Sequence, residues 1–250
     1  MAETAAHMVD HVFPPLPVRQ WVLSVPKRLR WPIGIRGERE PRAISAVLHI
    51  LLRVSEAHLR QGSGAGSHAR LGAVSFIHRF GASLNRHVHY HCCVVDGVFE
   101  PAEDAGDIPQ SVRFRPAAEL TPEAVAAIAE QVRVRVLRWF ARSGLIEPRD
   151  AREMLAWENS GFSLDAAVRV GAHDRAGLER LLRYCARPIY VRFAEHCCRL
   201  LPWTPCPLLF RAHSPSRRLG FPTGGWLPRP SPQVGVRFLR HCTYPPRVRR

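Results

Sequence analysis

Alternating histidines in one short segment constrain the fold of this chain more than any other feature. The segment Leu84–Glu100 reads LNRHVHYHCCVVDGVFE, and its histidines are His87, His89 and His91. Successive side chains of a β-strand point to opposite faces, so the three imidazoles share one face of a strand. The other face then carries side chains that can pack into a core, namely Val88, Tyr90, Cys92 and Val94. The pattern predicts a strand with one buried face and a cluster of imidazoles on the other.

Three neighbouring imidazoles favour a bound cation, because they repel one another when they are protonated. Two or three ligands leave coordination positions open, as a catalytic ion requires. His89 and His91 are the predicted metal ligands, and His87 is a secondary candidate. His78, on the preceding strand, is a further candidate ligand, with a satisfied core histidine as an equal alternative. Hydrogen-bonded imidazoles without any ligand are the alternative interpretation of the whole cluster.

Composition indicates a cytoplasmic protein with a polyanionic partner. The formal net charge is +15, and nucleic acid is the simplest partner for such an excess. Lys27 is the only lysine among 36 basic residues, which GC-rich coding would also produce, although coding bias does not explain the shortage of acids. Seven cysteines, two pairs of them adjacent, fit no disulfide framework and indicate reduced thiols. With no apolar run near ~20 residues and no signal peptide, no contact with membranes is expected.

The order of the remaining segments predicts an α+β fold. The strand-like and helical runs are, in chain order, 16–26, 41–61, 71–81, the histidine strand, a helix after Thr121, 162–170 and a helix after Asp174. Thr121 and Asp174 are the expected N-caps of the last two helices. This order predicts an antiparallel sheet with helices on one face, in a domain from residue 1 to 190.

The segment 191–250 differs in composition from everything before it. Its only acid is Glu195, against eleven arginines and ten prolines, and it shows neither helical nor strand periodicity. A poorly ordered, basic, proline-rich tail is predicted. Such a tail either binds phosphates or is not a selected sequence.

Tyr184 is the candidate nucleophile. It lies in the predicted helix after Asp174, with Arg180, Arg183 and Arg187 around it. Guanidinium groups favour a phenolate and hold phosphates nearby, which suits both a nucleophile and a DNA-binding surface. On the residues alone, a packing tyrosine with a hydrated hydroxyl is the more ordinary interpretation.

Three segments in this order resemble the rolling-circle transposases of the insertion sequence ninety-one family, which belong to the His-hydrophobe-His (HUH) endonucleases. They are LPVRQWVLSVPKRLR, RFGASLNRHVHYHCCVVDGVFEP and GFSLDAAVRVGAHDRAGLERLLRYCARP. The resemblance implies an enzyme that cleaves and rejoins single-stranded DNA at transposon ends through a 5′-phosphotyrosine intermediate, with Mg²⁺ or Mn²⁺ as cofactor. Its metal-binding pair falls on His89 and His91 and its nucleophile on Tyr184. Tyr190 is a secondary candidate because it is near Tyr184 in sequence, although it lies beyond Pro188.

The sequence departs from that family in three places. Arg180 stands where many relatives carry a second tyrosine, so a single-tyrosine mechanism is expected. Relatives carry a cysteine-rich, zinc-binding module before the segment MAETAAH, and here no cysteine precedes Cys92, so truncation at the N-terminus is expected. The resemblance ends near Phe193, and a frameshift or a truncated gene copy would explain both this loss and the composition of the tail.

Two other interpretations stay open. The same fold without turnover would be an inactive DNA-binding remnant of a transposase. The motif HVHYHCC also fits the signature of the histidine-triad nucleotide hydrolases, in which the central histidine, His89 here, would be the nucleophile and no metal would be needed. Divalent-metal dependence separates the transposase from the hydrolase, and a covalent DNA adduct separates it from the remnant.

Overall fold

The described residues of this computed structural model are 2–30, 41–80, 86–101 and 112–186. They form six α-helices, seven strands, one short 3-10 helix (Asn159–Gly161) and the segments that connect them. The helices are α1 (Ala2–His11), α2 (Lys27–Arg30), α3 (Pro41–Gly62), α4 (Pro122–Arg142), α5 (Pro148–Ala156) and α6 (Arg175–Cys185). The strands are β1 (Val18–Ser24), β2 (Ala73–Phe80), β3 (Arg86–Val95), β4 (Gly97–Pro101), β5 (Val112–Pro116), β6 (Ser163–Asp165) and β7 (Arg169–Val170).

The histidine strand β3 is an internal strand of the main sheet. It pairs antiparallel with β2 on one side and with β1 on the other, and β6 and β7 both pair antiparallel with β1. Strands β4 and β5 form a separate antiparallel pair. The predicted α+β fold with an antiparallel sheet is confirmed, including the expected pairing of β2 with β3.

The apolar face of β3 is buried against α3 and α4. Its four side chains are at most 2% exposed, and they pack with residues such as Leu51 of α3 and Val136 of α4. The hydroxyl of Tyr90 donates a hydrogen bond to the carbonyl oxygen of Ile44, at 3.2 Å. The buried face that the alternation predicts is therefore present.

Helices also cover part of the histidine face, where the sequence predicted helices on one face only. Beyond His91, this face of β3 continues with Cys93 and Val95, which are apolar and need cover from water. That cover comes from α1 and α6, whose residues form a second apolar cluster with these two side chains and with β2. The helix α1 was not expected from the sequence.

Local hydrogen bonds fix where α6 begins. The carboxylate of Asp174 accepts from the backbone N–H of Gly177 at 2.7 Å, which confirms the predicted N-cap. The guanidinium of Arg175 donates to the carbonyl oxygens of Phe13 and Pro14, at 2.9 and 3.1 Å, just after α1. The start of α6 is thus tied to the end of α1. The other predicted cap, Thr121, accepts from the N–H of Ala124 at the start of α4.

A buried carboxylate ties the end of β3 to its neighbours. Asp96 accepts from Arg19 of β1 at 3.0 Å and from Arg169 of β7 at 2.6 Å. The guanidinium of Arg19 also donates to the carbonyl oxygen of Ala166, which lies between β6 and β7. The single strand predicted over 162–170 is therefore two short strands, held to the same edge of β1.

Several predictions concern residues outside the described ranges. They include the turn at 82–85, Arg187, Tyr190, the domain boundary at 190 and the tail 191–250. Among the helices that the structure does describe, none is long and apolar enough to cross a membrane.

We expect Asp96→Ala to lower the free energy of unfolding by roughly 3 kcal/mol, because it leaves the buried guanidinium of Arg19 without its carboxylate. The matched control is Glu153→Ala, which removes a pair with Arg28 in which both side chains are about half exposed. The control should cost less than ~1 kcal/mol. Urea denaturation measures both variants, and equal losses would contradict a structural role for Asp96.

Candidate active site

Three imidazoles converge on the histidine face of the main sheet. His78 of β2 and His89 and His91 of β3 each offer one ring nitrogen, and these nitrogens lie within 4.8 Å of one another. The strand register produces the cluster, because His78 pairs directly with His89 and His91 lies one alternation further on the same face. The centroids of the three rings are 4.6 to 5.0 Å apart.

The fourth histidine, His87, lies beside this cluster rather than in it. Its ring centroid is 5.1 Å from that of His89, on the side away from His91. Within the described residues, the converging group of nitrogens consists of His78, His89 and His91. The structure therefore brings together the two predicted ligands and the further candidate His78.

One nitrogen of each of the three rings, called here the outer nitrogen, has an identified partner. Nε2 of His78 lies 2.7 Å from the carbonyl oxygen of Cys185, and Nδ1 of His89 lies 2.9 Å from that of His87. A carbonyl oxygen only accepts, so each of these nitrogens donates, and a neutral ring keeps its lone pair on the other nitrogen. Nδ1 of His91 lies 2.9 Å from the side-chain amide of Gln20.

This donor set fits a divalent cation. Imidazole nitrogens grouped within a few ångströms, on rings that hydrogen bonds hold in place, are the usual construction of a protein metal site. His78 and His89 are only partly buried, while His91 is 4% exposed. The sheet would hold a cation from one side and leave coordination positions for a substrate on the other.

Helix α6 places Tyr184 next to the imidazole cluster. The ring of Tyr184 contacts that of His91 edge to face, with 5.8 Å between centroids. Its helical neighbours Leu181, Leu182 and Cys185 are buried against the sheet, whereas the side chain of Tyr184 is 42% exposed. The predicted nucleophile thus lies at the border between the cluster and solvent.

Tyr90 provides a contrast, although it lies between two of the histidines in sequence. It is fully buried on the opposite face of β3, and this burial raises the pKa of its hydroxyl well above the ordinary value. Its hydroxyl is engaged with the backbone of α3. Because a nucleophile needs access to substrate and an available oxygen, Tyr90 is a core residue.

The predicted DNA-binding arginines on α6 are exposed and paired with acids on the same helix or at its cap. The guanidinium of Arg180 is 70% exposed and lies 4.0 Å from the carboxylate of Asp174. Arg183 pairs with Glu179, one helical turn earlier. Surface pairs of this kind contribute little to stability, so both guanidiniums can exchange these partners for phosphate. Their role in DNA binding stays a prediction.

Sequence reasoning missed two residues that support the cluster, Gln20 and Cys185. The side-chain amide of Gln20 contacts both His91 and the sulfur of Cys185, and the latter lies 4.0 Å from the sulfur of Cys93. A hydrogen bond with Cys185 and burial both raise the pKa of the Cys93 thiol well above its ordinary value. The signal for Gln20 was present in the sequence, as a lone amide inside a strand of apolar content.

Residues 72–194 match a family model whose description is "Putative transposase". This match supports a function of the chain as a transposase. The matched segment contains the histidine strand and the helix of Tyr184, so it covers the candidate active site. No curated protein and no solved structure matches the chain. The narrower resemblance to the insertion sequence ninety-one family stays a prediction.

We expect His89→Ala to lower the affinity for Mn²⁺ by more than ~100-fold, because a direct ligand should cost more than the 10–100-fold typical of an outer-shell partner. His87→Ala should lower it by less than ~10-fold, because that ring lies outside the converging group. Calorimetric titration of both variants measures the difference. A larger loss for His87→Ala would show that the predicted ligand pair is displaced by one alternation along β3.

Proposed function

We propose that this protein is a rolling-circle transposase of the HUH kind, which cleaves and rejoins single-stranded DNA with Tyr184 as nucleophile. One observation carries the proposal. An exposed tyrosine lies against a ring of the three-imidazole cluster, at 5.8 Å between the centroids of Tyr184 and His91. A metal-dependent phosphoryl transfer needs these two components side by side.

The family match and the charge of the chain support DNA as the partner. A transposase acts on DNA, and the match covers both components of the site. The net charge of +15 suits a polyanion and would attract the phosphate backbone of DNA whatever its nucleotide sequence. We propose single-stranded DNA at transposon ends. A flexible single strand can bring one of its phosphates to a tyrosine that lies against the sheet more readily than a stiff duplex can.

We propose that His78, His89 and His91 hold the divalent cation. Imidazole nitrogen is a softer donor than the oxygen ligands that Mg²⁺ prefers, so Mn²⁺ fits this set better than Mg²⁺. When bound, the cation would polarise the scissile phosphodiester and neutralise charge that develops on its oxygens.

The residues of the chain then perform a transesterification. The hydroxyl oxygen of Tyr184 attacks phosphorus and loses its proton to solvent, while the bond from phosphorus to the 3′ oxygen breaks and that oxygen takes up a proton. The products are a 5′-phosphotyrosine ester and a free 3′-hydroxyl. Because the ester replaces one phosphodiester bond by another, attack by a 3′-hydroxyl rejoins the strand without ATP.

Arg180 has a defined place in this scheme. It lies four residues before Tyr184 on α6, so both side chains project from neighbouring positions on one helix surface. An arginine there can stabilise the charge on the transferring phosphate but cannot form a second covalent link. The proposal is therefore a mechanism with one tyrosine.

The two alternative functions differ from the proposal in what they require. The histidine-triad hydrolase would explain the histidines alone, and the family match, which extends across Tyr184, favours the transposase instead. An inactive remnant would keep the fold and DNA binding but form no covalent adduct. The adduct experiment below decides between the remnant and the enzyme.

Tyr184→Phe should abolish covalent attachment to single-stranded DNA while leaving binding intact, because it removes only the hydroxyl oxygen. Since ring and volume are kept, the free energy of unfolding should change by less than ~1.5 kcal/mol. Labelled oligonucleotide, Mn²⁺ and each protein are incubated, and denaturing electrophoresis detects the adduct. The matched variant is Tyr190→Phe, which should form the adduct normally.

The result can contradict the assignment in two ways. An adduct that survives in Tyr184→Phe and disappears in Tyr190→Phe would move the nucleophile to Tyr190. Wild-type protein that binds the oligonucleotide but forms no adduct would favour the inactive remnant.

Arg180→Ala should weaken binding to single-stranded DNA and reduce its salt dependence. Removing one phosphate contact reduces the slope of log affinity against log salt by about 0.7 for a single strand. The control is Arg152→Ala, an exposed arginine of α5, which packs on the opposite side of the main sheet from α6. Fluorescence anisotropy over a salt series measures both slopes. Equal slopes for both variants would contradict a phosphate contact at Arg180.

A further inference from the structure

The three imidazoles of the cluster differ in what orients them. The outer nitrogens of His78 and His89 face backbone carbonyl oxygens, which fix the proton on that nitrogen. The outer nitrogen of His91 faces the side-chain amide of Gln20 at 2.9 Å. An amide carries both a donor and an acceptor, so the protonation of His91 depends on which end of Gln20 faces it.

The two orientations of the amide have opposite consequences for a metal. In the structure, the amide nitrogen of Gln20 is nearest to Nδ1 of His91. A donor there would place the proton of a neutral ring on Nε2, which then has no lone pair for a cation. A half-turn of the amide brings its oxygen, of nearly the same size, to the same point. That oxygen accepts from Nδ1–H and leaves the lone pair of Nε2 for the cation.

The contact of the Gln20 amide with Cys185 is also compatible with an amide oxygen that faces His91. The amide of Gln20 lies 3.2 Å from the sulfur of Cys185, and a thiol can donate to an amide oxygen. The sulfur of Cys93 lies 4.0 Å from that of Cys185, so its thiol can donate to that sulfur. With the amide oxygen inward, both Nδ1–H of His91 and the thiol hydrogen of Cys185 can be donated to it.

We propose that Gln20 is a positioning residue that sets the tautomer of His91 by accepting a hydrogen bond from its Nδ1–H. This inference rests on the metal site of the proposed function and concerns the assembly of that site, not the transfer step. Gln20 is 5% exposed and fixed in β1 opposite Cys93, two residues from His91 on the same face of β3. Such burial and register leave the amide no solvent partner to satisfy it instead.

Cys185 links the imidazole cluster to the proposed nucleophile. Cys185 follows Tyr184 directly, its carbonyl oxygen accepts from His78, and its sulfur contacts Gln20. Two of the three imidazoles are therefore oriented through one residue of α6. Gln20 completes this connection across the sheet, from β1 to α6 through β3.

Two variants separate the acceptor role from a packing role. Gln20→Glu keeps an acceptor at this position and removes the donor, whereas Gln20→Leu keeps the approximate volume and removes both. Calorimetric titration with Mn²⁺ should show a 10–100-fold loss of affinity for Gln20→Leu and a change of less than ~3-fold for Gln20→Glu. The control Gln131→Leu, at an exposed position of α4, should match wild type.

A second readout needs neither metal nor DNA. Nitrogen-15 NMR of the metal-free protein near pH 8, above the ordinary pKa of histidine, reports which nitrogen of His91 carries the proton. We expect the proton on Nδ1 in wild type and in Gln20→Glu, and a mixture in Gln20→Leu. A proton mainly on Nε2 in wild type would overturn the proposal.

The outcomes distinguish this inference from the proposed function. Equal Mn²⁺ affinities for wild type, Gln20→Leu and Gln20→Glu would overturn the role of Gln20 and leave the metal site standing. Loss of affinity in both Gln20 variants would show that the amide donor or the packing matters, and would also overturn it. Failure of wild type to bind Mn²⁺ would overturn the metal site and this inference together, whereas failure to form a DNA adduct would affect the proposed function alone.

Discussion

Strand β3 is internal to the main sheet, and its backbone hydrogen bonds to β1 and β2 hold each of its side chains on one face or the other. The even-numbered side chains of β3 form the core against α3 and α4, and its odd-numbered side chains include the histidines of the imidazole cluster. A slip of one residue in either pairing would exchange the two sets. Burial of Tyr90 and Val88 on the core face makes such a slip costly, so the same packing that stabilises the sheet also aligns the histidines.

Along β3 the histidine face changes from polar imidazoles to apolar side chains, and this change separates the candidate site from the part of the face that packs against helices. At His89 and His91 the face carries polar rings that converge with His78, while at Cys93 and Val95 it is apolar and lies under α1 and α6. Helix α6 therefore ends at the boundary between the two parts. Its last turn places Cys185 over the sheet and Tyr184 beside the cluster.

The two described tyrosines near the histidines show how environment separates roles. Tyr90 stabilises the fold through complete burial and one hydrogen bond to the α3 backbone, and the same burial disfavours its ionised form. Tyr184 is partly exposed, and its helix is anchored by the buried leucines next to it rather than by the tyrosine itself. A residue that is not needed for packing is available for chemistry.

The sequence alone determined the faces of β3, the caps at Thr121 and Asp174, the α+β class and the candidate residues, because strand alternation and capping are local properties. It did not determine that α1 would cover part of the histidine face, nor that His78 would join the cluster rather than the core. It also did not connect Gln20 or Cys185 with the cluster. His78 joins the cluster through the register of β2 with β3 and the contact of its Nε2 with the carbonyl oxygen of Cys185. The contacts of Gln20 with His91 and Cys185 join residues 71 or more positions apart, and only the pairing of β1 with β3 and the docking of α6 create them.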